Sequence, residues 1–165
     1  MDSIVGFGVR TVGSEANEVQ TVAYLLDEVT KLQAEAAKVS KSTGEEITVQ
    51  VDVHRPSGSF SSGFLEGFTN VYHNVSNVVV SIEGTASDAQ QKSVLVNAHF
   101  DSALGTVAAS DDAVMVATML EVMRNVIHGP RLRHAVVFVM NGAEETNWMA
   151  VSICSCFPFC WLLCT

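Results

Sequence analysis

The first 153 residues contain no cysteine; Cys154, Cys156, Cys160 and Cys164 all fall in the last dozen positions. No disulfide framework therefore supports the body of the chain, and cysteine usage is silent on its redox compartment. Charge is also scarce, at 16% of 165 residues, which argues against a disordered tail or a coiled coil. Lys and Arg total only 9 against 18 Asp and Glu, a formal charge of -9. Nucleic-acid binding needs clustered cations, so this balance excludes it as a partner class. No stretch reaches the roughly 20 apolar residues that span a bilayer. The apolar end, Ile153 to Cys164, is shorter than that and is broken by Pro158. The first ten residues lack the basic start and long apolar run of a signal peptide.

What is present is apolar residue, 48% of the chain, enough for one ordinary domain with a buried core. Apolar side chains recur at helical spacing from about Asn17 to Lys38 (Val19, Val22, Ala23, Leu26, Val29), with Ser14 or Asn17 as the cap. Glu46 to His54 alternates apolar and polar, as a half-buried strand does. Arg55 to Gly67 is rich in Ser and Gly and reads as a flexible loop. Asn74 to Glu83 is β-branched and reads as a strand. Ser93 to Ala98 and Ala135 to Met140 are short continuous apolar runs, the pattern of strands buried on both faces. Between them, Asp111 to Ile127 reads as a helix with acids at its start and Gly129-Pro130 beyond its end.

Two buried strands joined by a helical crossover form a βαβ unit. The fold class expected is therefore α/β, a mostly parallel mixed sheet with helices on both faces. In such sheets ligands bind outside the carboxyl ends of the strands. His99 and Asp101 follow one of these strands, Glu144 and Glu145 follow the other, and Asp111 opens the connecting helix. Each residue alone has an ordinary explanation: a surface histidine, a helix-start acid, solvated charge. Together they offer imidazole nitrogen and carboxylate oxygen to one place, the donor set that zinc takes. The spacing His99-Phe100-Asp101 lets the carboxylate face the imidazole and fix its tautomer. His54, His73, His128 and His134 read as surface or strand-end residues, and Asn74-Val75-Ser76 is an N-glycosylation sequon.

The runs VNAHFDS (96–102), AASDDAVMVATMLEVMR (108–124) and VVFVMNGAEE (136–145) resemble the zinc-dependent exopeptidases, the di-zinc aminopeptidase family. VRTVGSEAN (9–17), RPSGSF (55–60) and YHNVSNVVV (72–80) extend the likeness, most of all to the endoplasmic-reticulum branch of that family. The resemblance implies a three-layer zinc aminopeptidase-like fold, seen incompletely. It implies His99 on one zinc, Glu145 on the other, Asp111 bridging both, Glu144 as general base and Asp101 orienting His99. It further implies a cis peptide after Asp111, a peptide substrate, and a luminal, membrane-anchored setting in the endoplasmic reticulum, which would make Asn74 usable as a glycan acceptor. The expected domain spans residues 1–148; residues 149–165 are expected to be an unrelated Cys-rich apolar tail. Residues 146–165 contain no Asp, Glu or His, so the third protein ligand that the family gives each zinc is not supplied. Weak or partial zinc binding is expected, and an inactive truncated isoform acting as a binding or regulatory module is the alternative.

Overall fold

The computed structural model describes residues 2–62, 67–87 and 89–146. The Cys-rich tail expected at 149–165 lies outside them, as do residues 63–66 of the Ser/Gly loop.

A short helix α1 (Asp2–Gly6) leads to a π-type turn (Ala16–Thr21) that runs directly into α2 (Val22–Thr43). Ser14 caps this assembly, its Oγ accepting the Asn17 N–H at 3.1 Å. Val22, Leu25, Val29, Leu32 and Ala36 are the buried stripe of α2. Val19, expected on that stripe, is instead 57% exposed, because the wider π-type turn rotates it off the face that α2 continues. Gly44 ends the helix at φ 77°, its N–H returning to the Ser40 carbonyl at 2.9 Å, a left-handed cap that only glycine adopts without strain.

The main sheet has the order β1-β4-β6-β5: β1 (Val49–His54), β4 (Asn77–Ile82), β6 (Val136–Asn141) and β5 (Val94–His99). β1 and β6 run antiparallel to β4, and β5 runs parallel to β6. The sheet is mixed as expected, with its parallel pair made by the βαβ unit β5–α3–β6, where α3 is Val114–His128. Val116, Met119, Leu120, Met123 and Ile127 of α3 join the α2 stripe over Val78, Val80, Ile82, Phe138 and Met140 in one core. Among the described residues both long helices thus lie on the same face of the sheet.

Two expectations fail locally. β5 is not buried on both faces: Val94 and Leu95 are 59% and 47% exposed, because β5 is the edge of the described sheet and only its last two residues are covered. The Ser/Gly segment is not simply a loop. Gly58–Ser62 forms β2, paired antiparallel with β3 (Phe68–Tyr72). The pairing residues on β3 supply the β propensity that GSFSS lacks. No described helix is long and apolar enough to cross a membrane.

Candidate metal centre

β5 and β6 end side by side, with His99 opposite Asn141. The ladder continues one step further, where the Phe100 N–H donates to the Asn141 carbonyl at 2.8 Å. The chain after β6 then turns at Gly142. A Cβ there would meet the Phe100 ring at 2.5 Å and the Ser76 carbonyl at 2.7 Å, so this close approach requires glycine. The turn delivers Glu144 and Glu145 above the end of β5.

Asp101 fixes them there. Its carboxylate is fully buried; Oδ1 accepts the Glu144 N–H at 3.0 Å and Oδ2 the Glu145 N–H at 2.9 Å. The same Oδ1 lies 3.3 Å from His99 Nδ1, within ion-pair distance but not aligned as a hydrogen bond. One carboxylate therefore clasps the loops after both strands, which is more than the orienting contact to His99 that the sequence suggests.

His99 is buried, and its Nε2 points at acids. Asp111 Oδ1 is 3.2 Å away and Glu144 Oε2 3.8 Å. Burial works against a charge on this ring, but Asp101, Asp111 and Glu144 outweigh it and raise the pKa to about 9. Asp112 accepts the His99 backbone N–H; its own pKa is raised, first by burial and also by the neighbouring Asp111 charge. The Asp111-Asp112 peptide is cis, as the resemblance implies. It sits in the irregular turn Ala109–Ala113, where both residues leave helical geometry (φ -137° and -134°), so the chain enters α3 with the Asp111 side chain exposed and facing His99.

Ligating atoms of His99, Asp111 and Glu145 all lie within 4.8 Å of one another. One imidazole nitrogen and two carboxylates at that separation are a donor set that zinc accepts. Glu144 stands beside this trio. All five residues singled out from the sequence are brought to one rim of the sheet. Asn74 is remote in role: it is exposed, at φ 57°, in the turn between β3 and β4. His73 and His128 do have partners, Ser57 Oγ at 2.9 Å and Glu35 Oε2 at 3.2 Å.

The sequence reading missed the supports beneath the rim. Arg10 is fully buried behind the loop that follows β5. Asn17 donates to the Gly142 carbonyl at 2.8 Å, and Glu18 accepts from both the backbone and the hydroxyl of Ser76. These residues tie the N-terminal segment to the turn that carries Glu144. Only the run VRTVGSEAN pointed toward them, and it carried no chemistry of its own.

Peptidase family M28 matches residues 77–157, a span that holds all five rim residues. Endoplasmic reticulum metallopeptidase 1 of Rattus norvegicus is 46% identical over 146 residues, covering 88% of this chain and 15% of its own. The Homo sapiens protein of the same name is 44% identical over the same coverage. The putative endoplasmic reticulum metallopeptidase 1-A of Caenorhabditis elegans is 36% identical over 88% of this chain and 16% of its own. The chain thus spans about 15% of the length of the curated relatives it matches. Among solved structures, a zinc aminopeptidase from Bacillus subtilis superposes with a TM-score of 0.54 at 11% identity, covering 87% of this chain and 60% of that one, a likeness of fold. Residues 77–157, which carry the whole rim, are thus similar to peptidase family M28, and the fold is shared with a zinc aminopeptidase.

Proposed function

We propose that this rim is a zinc peptidase centre of the aminopeptidase type, acting on peptide substrates with Glu144 as its base. The observation that carries the reading is the convergence of His99, Asp111 and Glu145 within 4.8 Å of one another beside Glu144. Their donor chemistry fits zinc, which His99, Asp111 and Glu145 would hold. When bound, zinc lowers the pKa of a water toward ~7 and polarises the scissile carbonyl. Glu144 takes the proton from the attacking water and hands it to the leaving amine. Asp101 holds the His99 ring and, through the two backbone N–H groups, the aim of both glutamates.

A second reading is a zinc-poor, inactive isoform that serves as a binding or regulatory module. Metal analysis after dialysis, beside a leucine-anilide assay of wild type and Glu144→Ala, separates them. Two retained zincs with turnover that Glu144→Ala abolishes support the peptidase; no Glu144-dependent turnover supports the module.

The relatives' names support a setting in the endoplasmic reticulum. Asn74 is then a glycan acceptor, with one constraint: the Ser76 hydroxyl of its sequon is buried against Glu18, so transfer precedes folding. An endoglycosidase-sensitive mass shift lost in Asn74→Gln tests this.

A further inference from the structure

Arg10 is the largest fully buried side chain of the described residues, and it is a cation. Burying a guanidinium unpaired is costly, so its partners show what the burial is for. Nε donates to the Phe100 carbonyl at 2.7 Å, the residue directly after His99. Nη1 donates to the Val107 carbonyl at 3.0 Å, four residues before Asp111, and to the Gly8 and Ile4 carbonyls at 3.0 and 3.2 Å. The Arg10 backbone adds a reciprocal pair with Ser102: its N–H donates to Ser102 Oγ at 2.8 Å and its carbonyl accepts the Ser102 N–H at 3.0 Å. One planar side chain thus grips both ends of the loop that separates two of the converging ligands. Between the grips, Leu104 is 89% exposed, Gly105 takes φ 81°, and the Ala108 N–H donates to Thr106 Oγ1 at 3.0 Å.

Electrostatics agree with the geometry. Burial disfavours the charge on Arg10, and the buried carboxylate of Asp101 favours it. Asp101 in turn carries the backbone of Glu144 and Glu145.

We propose that Arg10 is the positioning residue of the metal centre: its forked guanidinium, bonded to the Phe100 and Val107 carbonyls, sets the distance between His99 and Asp111. The inference rests on the zinc reading above and adds to it a determinant outside the metal-binding motifs. A lysine at this position keeps the charge, but a single ammonium lacks the rigid fork that reaches both carbonyls.

The test uses the full 165-residue chain as wild type, Arg10→Lys, Ser102→Ala and Ile127→Val. Ile127 is a fully buried residue at the end of α3 far from Asp111, and serves as a control for stability loss alone. Each protein is titrated with zinc against a chromophoric chelator, its cobalt-substituted visible spectrum is recorded, and its metal-free thermal midpoint is measured. Arg10→Lys is expected to lose 10–100-fold in zinc affinity and to change the cobalt spectrum, the size of effect that partners behind metal ligands have. Ile127→Val is expected to lower the midpoint while keeping affinity and spectrum. An Arg10→Lys protein that loses stability but keeps wild-type affinity and spectrum overturns the inference. If Arg10→Lys does not fold, Ser102→Ala decides: a roughly two- to tenfold loss of affinity supports it, and unchanged affinity overturns it. A wild type that takes up no zinc looks different from either result, and removes the metal reading together with this inference.

Discussion

On its helix-facing side the sheet presents Val78, Val80, Ile82, Ala98, Phe138 and Met140, all buried against α2 and α3. On the opposite side the same strands present Asn77, Val79, Ser81, Asn97, Val139 and Asn141. There a lateral row of register partners, His54, Asn77, Asn141 and His99, crosses the sheet at its functional rim. Asn141 Nδ2 donates to Asn97 Oδ1 at 3.0 Å, and neither polar atom of the buried Asn77 side chain has a partner among the described residues. The first side is built as hydrophobic packing requires. The second carries polar groups that packing alone does not select, and that row ends on a metal-ligand candidate. Packing and the proposed chemistry are drawn from opposite faces of the same four strands.

The largest effect expected is on the packed side. Phe138→Ala removes a fully buried ring and should cost about 3–5 kcal/mol in urea unfolding. A loss of under 1 kcal/mol would show that the helix face is not the main source of stability. On the rim, Asp101→Asn keeps the size of the side chain but leaves one acceptor for two backbone N–H groups. Zinc affinity should fall roughly 10–100-fold, read by chelator competition, while the unfolding midpoint moves less than for Phe138→Ala.

Acidity sharpens the same contrast. The His99 pKa is raised to about 9 from the ordinary 6.5. Its protonated form therefore contributes stability to the metal-free chain that is fully present below about pH 6.5 and is lost as pH rises through about 9. Zinc must displace that proton, so zinc affinity runs the other way, rising up to about tenfold per unit toward pH 9 and levelling above it. Zinc titrations at pH 7 and 8 that agree would contradict this. The smallest effect is expected at Asn77. Replacing its unpartnered amide with an apolar group, Asn77→Leu, should raise stability by about 1 kcal/mol in the same urea assay. A loss there would show the polar row to be satisfied by groups beyond the described residues.

Much of this was legible in the sequence because it depends on local pattern. The βαβ unit follows from two apolar runs flanking an amphipathic helix, and its topology alone brings His99, Asp111, Glu144 and Glu145 to one rim. What was not legible depends on pairing at a distance. GSFSS becomes a strand only because FTNVY lies beside it. Val94 and Leu95 look like core in a run of apolar letters, and are exposed because β5 forms the edge of the described sheet. Nothing in the local pattern marks Arg10 as buried, because the four carbonyls around it come together only in the folded chain. The double grip of Asp101 on Glu144 and Glu145 likewise exists only once the two strand ends are adjacent.

Two neighbouring residues are proposed to do different work: Glu145 to hold metal, and Glu144 to move a proton. A zinc titration of wild type, Glu145→Ala and Glu144→Ala tests that most directly. Glu145→Ala should lose more than the roughly 10–100-fold that removing an outer partner costs. Glu144→Ala should stay within a few-fold of wild type. Equal losses in the two variants, or a wild type that takes up no zinc, would contradict it.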